Sequence, residues 1–398
     1  MTRRRRVSLQ VASTIAVLIT FVLPATATAQ HDHAAMMRAS AARWTWNVQG
    51  QLSLNLNLQQ RKFTDFHQVE SQNWVMVMGG RRVGTTNIAL HTMFSGEPFT
   101  MRDLGSAQVF QTGETFDGRR LIDYQHPHDL FMGLGATWSG PARKGVTWSL
   151  TAAVVGEPTL GPTAFMHRIS SEGNPTAPLG HHTLDSTHIT HGVVAGGLTF
   201  KTVTLETSAF HGREPDEDRL DIEMGALDSY AGRVWWRRGP WAAQASAGHL
   251  KAPEASTNTD LDRYTASIEY SGAAAASPWN WTLAYGLNHL PNYDGRSLME
   301  VAILGDVTYR LKPRDLLYAR WEVADKDIDS GHAVLPGDLH PKNTISAFTL
   351  GYQRRLASRG RRSLGLGGDV TVYGVPDDLK PNYGHPLSMH VLLILKSN

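Results

Sequence analysis

From Trp44 to Leu58 the chain alternates without a break: Trp44, Trp46, Val48, Gly50, Leu52, Leu54, Leu56 and Leu58 hold the even positions, and Thr, Asn, Gln and Ser fill the odd ones. Period two marks an extended strand with one apolar and one polar face. A soluble strand usually runs about 5 or 6 residues, whereas one tilted across a bilayer needs about 9 to 11. This run fits only the second case. Similar alternation recurs at Val146 to Val154, Trp279 to Leu287, Met299 to Leu311 and Leu317 to Val323. The face opposite the apolar one carries Glu300, Asp306, Arg310, Arg320 and Glu322. A Lys or Arg facing lipid at the bilayer midplane costs roughly 2 to 4 kcal/mol. These residues, with Glu206, Arg233 and Glu269, are therefore expected to line a polar lumen.

Arg3 to Arg6 precede an apolar stretch from Val11 to Leu23, and Ala27-Thr28-Ala29 follow it. That order predicts an export signal over 1–29, removed after Ala29. Residues 30–43 then form a His/Met-containing tail and 44–398 one membrane domain. No later apolar run reaches the roughly 20 residues of a membrane-spanning helix, so a mature chain resident in a membrane must be a closed barrel. The expected class is all-β: a closed antiparallel transmembrane barrel of about sixteen strands, with short periplasmic turns and long outer loops. Short turns are predicted near 79–84, 139–145, 201, 237–240, 271–277, 312–315 and 358–363. Long connections are predicted near 59–73, 95–129, 156–187, 211–228, 251–263, 289–296, 325–343 and 374–386. Trp138, Trp148, Trp236, Trp241, Trp279 and Tyr309 flank the short turns, where an aromatic girdle meets the interface.

Charge follows the same division, with basic residues such as Arg81, Arg143, Lys201, Arg238 and Arg361 at the short turns and acidic residues in the long connections. The net charge is only +2 and no basic cluster is interleaved with aromatics, which argues against nucleic acid as a partner. The chain has no cysteine, which excludes disulfides, thiolate metal sites and a cysteine nucleophile.

Histidines crowd the long connections. His126-Pro127-His128-Asp129 lies in the second, and His167, His181, His182, Asp185 and His188 lie in or just after the third. Imidazole with carboxylate suits zinc, copper, nickel or iron rather than calcium or magnesium. Met93, Met101, Met132 and Met166 would add soft donors for reduced copper. A copper or zinc site built from both groups is one expectation. The plainer alternative is that the histidines satisfy backbone groups while Asp123, Asp129 and Asp185 pair with Arg119, Arg120 and Arg168 to order the loops. The acidic run Glu214, Asp216, Glu217, Asp218, Asp221 and Glu223 is expected to be a solvated loop face that favours cations. No nucleophile elbow, His-Glu-x-x-His or phosphate loop is present, so the chain is not expected to be an enzyme. Asp185, Ser186 and His188 include the residue types of a triad, which leaves a barrel-embedded hydrolase as a distant third alternative.

The signal, the strand number and the alternation of short and long connections together resemble the general bacterial porins, over Trp44 to Asn398. The resemblance implies residence in the outer membrane of a Gram-negative bacterium, insertion by the barrel-assembly machinery, a surrounding of outer-membrane lipid and, as in many porins, a homo-oligomer. It implies a channel for small solutes or ions, and it implies that the third long connection folds into the barrel. The chain departs from porins by ending in Leu395-Lys396-Ser397-Asn398 instead of an aromatic. The tail His31-Asp32-His33 with Met36-Met37 is similar to the starts of outer-membrane proteins from copper-resistance systems, which implies, as the alternative function, handling of copper or zinc cations.

Overall fold

The computed structural model describes residues 42–102, 104–255, 258–272, 277–293, 295–328 and 342–397. The signal, His31 and His33 of the tail, and His332 and His340 lie outside the described residues. The strands are β1 Thr45–Arg61, β2 Thr64–Glu70, β3 Asn73–Val83, β4 Thr86–Phe94, β5 Ser106–Phe116, β6 Arg119–Gln125, β7 Phe131–Arg143, β8 Val146–Gly156, β9 Thr190–Phe200 and β10 Val203–Phe210. They continue as β11 Ser229–Arg238, β12 Trp241–Leu250, β13 Leu261–Ser271, β14 Trp279–Tyr293, β15 Arg296–Lys312, β16 Asp315–Asp327, β17 Lys342–Arg359, β18 Arg362–Gly374 and β19 Leu387–Ser397.

All but β5 and β6 join one antiparallel sheet of 17 segments. β2 and β3 pair with successive halves of β1 and are one wall strand interrupted at Ser71-Gln72, which leaves 16 strands in the wall. β19 pairs back onto β1 from Gly50 opposite Ser397 to Gln60 opposite Leu387, so the sheet closes and has no edge.

The side-chain pattern is inverted relative to a soluble protein. On β1, Ser53, Asn55, Asn57 and Gln59 are fully buried, while Leu54 is 38% exposed, Leu56 42% and Trp46 57%. On β16, Tyr318, Arg320 and Glu322 are buried and Trp321 points out. Such an apolar outer belt on an edgeless sheet is stable in lipid, where every backbone group is paired within the wall.

Two expected long connections are different in kind. β1 and β2 meet at a tight turn at Lys62-Phe63, so most of 59–73 is paired strand, and β14 and β15 likewise shorten 289–296. Strands continue past the bilayer, where the outer face no longer needs apolar residues, so the alternation fades before the pairing does.

The lumen also departs from the uniformly polar interior expected. Two connections fold into it: 95–130, which carries the β5–β6 hairpin, and 157–189. Val109, Phe110, Leu179 and Leu184 from these segments pack with Leu304, Ala324 and Ile345 of the wall as an apolar core inside the barrel. Small wall residues make room for it. A Cβ on Gly286 would lie 2.4 Å from the Thr183 carbonyl oxygen, so the 157–189 backbone is seated directly against β14.

Candidate functional site

The 157–189 segment leaves the wall at β8 and reaches β16, eight strands on in a ring of 16 and therefore on the opposite side. It crosses the lumen. The inward charges meet it there. Ser171 Oγ donates to Asp306 at 2.6 Å, Arg320 donates to the Thr176 carbonyl at 2.8 Å, and Arg310 reaches Glu172 at 3.1 Å. The Leu179 amide donates to Glu322, and Thr163 Oγ1 to Glu269 at 3.4 Å. Arg233 bonds Glu206 at 2.9 Å and the Gly161 carbonyl at 3.1 Å. Glu300 lies on the same face of β15 as Asp306, six residues nearer the Arg296 end of the strand. Most of the lumen set thus holds the crossing segment, a role that alternation alone did not disclose. The 95–130 segment is anchored separately: Asn57 donates to the Ala107 carbonyl at 2.8 Å, Ser106 to Glu70 at 2.7 Å and Lys326 to Gln111 at 2.7 Å.

The two segments meet through their histidines. The ring centroids of His126 and His182 are 6.2 Å apart, those of His181 and His182 5.4 Å, of His181 and His188 5.1 Å, and of His128 and His188 5.4 Å. His126, His128, His181, His182 and His188 are therefore one contiguous cluster, formed by loops more than fifty residues apart in sequence at their nearest histidines.

Carboxylates divide that cluster. His128 gives its amide and its Nδ1–H to one oxygen of Glu97, at 2.8 and 2.9 Å. His181 bonds Asp185 at 2.8 Å, and Asp185 also accepts from the Phe165 amide at 3.0 Å and lies 3.5 Å from Arg168. Burial alone would raise the Asp185 carboxyl, but His181 and Arg168 overcome it and hold the group at about 2. Asp129 belongs to Arg219, 3.2 Å away, and burial raises its carboxyl to about 6. His167 packs edge-on against Trp74 at 5.4 Å, apart from the cluster. Asp129 and His167 are thus engaged elsewhere, and Asp185 is held between His181 and Arg168. Of the expected loop pairs only Asp185 with Arg168 is present as named, since Asp123 pairs with Arg61 at 3.0 Å.

The remaining two histidines face three glutamates. His126 Nδ1–H donates to the Pro127 carbonyl at 3.0 Å, which turns Nε2 toward Glu114 at 3.1 Å. His182 Nδ1 lies 3.5 Å from Glu254 and 3.7 Å from Glu214. Burial drives His182 down to about 3 against the pull of Glu214, and drives His126 well below the usual imidazole range with Arg219 adding to the effect. Burial pushes the Glu114 carboxyl well up, opposed by Arg219. Donor atoms of Glu114, His126 and His182 lie within 4.8 Å of one another, as do those of His182, Glu214 and Glu254. Glu114 and Glu254 are isolated carboxylates in separate loops, with no spacing that sequence reasoning could have used.

Met93, Met132 and Met166 pack with Met76, Met78 and Val155 in an apolar cluster. Asp185, Ser186 and His188 form no relay: Ser186 Oγ accepts from Arg263 at 3.0 Å, and His188 donates to the main-chain oxygen of Asp185 at 2.9 Å. Asp216, Asp221 and Glu223 of the acidic run form a second carboxylate group at the exposed surface.

No protein-family model and no curated protein sequence matches the chain. Solved structures do. The chain is similar to a loop-deletion form of OmpT, an outer membrane protein of Vibrio cholerae, at 12% identity and a TM-score of 0.53, over 89% of this chain and 99% of that one. The fold is that of an outer-membrane β-barrel. Salmonella typhi OmpF, solved with daunomycin, is similar over 88% of this chain and 97% of its own at 7% identity and a TM-score of 0.53. The outer membrane channel DcaP of Acinetobacter baumannii is similar over 90% and 99% at 12% identity and a TM-score of 0.50. At these identities the likeness is one of fold, and together with the apolar belt it assigns the barrel to the outer membrane. No similarity to copper-resistance proteins was found among these structures.

Proposed function

We propose that the chain is an outer-membrane channel for ions and small polar solutes, narrowed by the two inward segments. The observation that carries the reading is the 157–189 segment, which lies across the lumen on charged wall anchors while polar space persists beside it. A cavity of about 50 Å3 is lined by Gln49, Gln51, Gln72, Trp74, Glu172 and Lys396 along the β1 side of that segment. Space of this size admits only a few waters, so the path should pass ions and the smallest solutes. Similarity in fold to an outer membrane channel supports the same reading.

The test is single-channel recording in planar bilayers. The full mature chain should give small, discrete conductance steps, and a variant with 163–183 replaced by a short Gly/Ser linker should give larger ones. Absence of conductance from both would overturn the channel reading.

A further inference from the structure

We propose that Glu114, His126, His182, Glu214 and Glu254 bind one borderline divalent transition-metal ion, of which zinc is the representative, at the junction of four outer connections. The ion would fasten the 95–130, 157–189 and 211–228 segments to one another and to the 251–260 loop.

The geometry is that of a site and not of a charge patch. Two imidazoles and three carboxylates supply two donor triads, Glu114 with His126 and His182, and His182 with Glu214 and Glu254, and His182, the residue the triads share, is 7% exposed. Its Nδ1 is buried and makes no hydrogen bond; Glu214 Oε2 lies 3.7 Å from it, and the other oxygen of that carboxylate, Oε1, is likewise buried without a hydrogen bond. Leaving buried polar atoms without partners is costly, and an ion between them would satisfy both. The ligand orientation is prepared as well. His126 Nδ1–H is held by the Pro127 carbonyl, the outer-shell arrangement that fixes a metal-binding imidazole and frees its Nε2. His182 is positioned through its backbone, whose carbonyl accepts from Arg263 and from Asn288 Nδ2 at 3.1 Å.

Nitrogen with carboxylate oxygen, and no sulfur, selects zinc, nickel, iron or oxidised copper over calcium and magnesium, and gives no support to reduced copper. A route in is present. A cavity of about 290 Å3, lined by Thr115, Arg213, Glu214, Asp216, Glu217 and Glu254, adjoins the site, and its carboxylates would draw a hydrated cation inward.

The experiment is calorimetric titration of zinc chloride into the metal-stripped mature protein in detergent, with X-ray absorption on the loaded sample. Wild type should bind one zinc at micromolar affinity or tighter, with a first shell of nitrogen and oxygen near about 2.0–2.2 Å and imidazole scattering beyond it. His126→Gln with His182→Gln should weaken binding by more than the roughly 10- to 100-fold that loss of an outer-shell partner costs. Glu254→Gln, which keeps the side-chain shape, guards against misfolding and should weaken it too. A variant altered only at Asp221 and Glu223, which lie outside that cavity, should bind as wild type does. Equal binding by wild type and the double histidine variant, loss of binding in the surface variant alone, or absence of micromolar binding to wild type would overturn the site.

Discussion

Arg320 Nε donates to Asp306 Oδ1 at 2.8 Å between directly paired positions of β16 and β15, and each side chain is 2% exposed. The pair does not stand alone. Asp306 also receives Ser171 Oγ and faces Arg168 at 3.5 Å, while Arg320 holds the Thr176 carbonyl. One carboxylate therefore neutralises a wall arginine and a loop arginine together, and the crossing segment is fixed through it.

Asp306→Asn should consequently release the segment while leaving the wall closed. Removing one partner from a buried ion pair costs on the order of 3 to 5 kcal/mol, because the abandoned charge stays buried. Here Arg320 loses its paired carboxylate and Arg168 is left with Asp185 alone, so the hold on 168–176 should loosen. The expected outcome is larger and noisier conductance, with strand content by circular dichroism unchanged. A variant with wild-type conductance and wild-type unfolding by urea would show that the segment is held by other anchors.

The orientation of the barrel gives a prediction of its own. The chain lacks cysteine, so single introduced cysteines report without interference. Asp218 is exposed in a long connection, and Lys144 and Gly360 lie at the turns β7–β8 and β17–β18 on the opposite rim. Long connections face outward in outer-membrane barrels. A membrane-impermeant maleimide on intact cells should label Asp218→Cys but label Lys144→Cys and Gly360→Cys only after lysis. The reverse pattern would invert the topology.

Gly113 supplies a steric test of the histidine junction. Its φ is +137°, and a Cβ there would lie 2.6 Å from the His182 ring. Gly113→Ala should therefore displace His182 and strain β5, at a cost of about 1 to 3 kcal/mol. Hydrogen exchange at 106–116 and 181–188 should rise together. Unchanged exchange in 181–188 would mean that the two segments are not packed as described.

The wall was legible because lipid imposes a rule that every spanning strand obeys. Leu54 and Leu56 point out and Asn55 and Asn57 point in, as their alternation required, and the short turns at Lys201, Gly239-Pro240 and Gly360 fall where polar or glycine residues break it. The interior was less legible because it follows no period. Phe110 and Leu184 pack inside the barrel as in a soluble core, through contacts between segments remote in sequence. The histidines were found by local crowding, and five of the expected residues converge, but crowding could not tell which carboxylates would join them. Asp129 is taken by Arg219 and Asp185 is held between His181 and Arg168, whereas Glu114 and Glu254 come from distant segments. The first and sixth connections were misjudged because charged residues in Thr64–Glu70 resemble a loop once the strand leaves the bilayer.

The last prediction concerns acid. His188 Nδ1–H donates to the Asp185 carbonyl, and its buried Nε2 has no hydrogen-bond partner; around the ring stand His181, His128, Phe165 and the Asp185 carboxylate. Burial, reinforced by His181 and His128 and opposed by Asp185, lowers this imidazole from 6.5 to about 3. A released segment would regain the ordinary value, so between those two pH values the undocked state binds a proton that the docked state refuses. Docking is therefore fully favoured above pH about 6.5 and weakens as pH falls toward 3, by up to about 1.4 kcal/mol per unit for this one group. Asp129, raised to about 6, acts in the opposite sense over part of the range, so the total slope is not the test. The test is the difference between wild type and His188→Asn, which keeps a donor for the Asp185 carbonyl and cannot take up a proton. Hydrogen exchange of amides in 181–188, followed from pH 7 to 4, should accelerate relative to intrinsic rates in wild type, and the acceleration should be shallower in the variant by up to one proton. Identical pH profiles for the two proteins would remove His188 as the source of acid sensitivity.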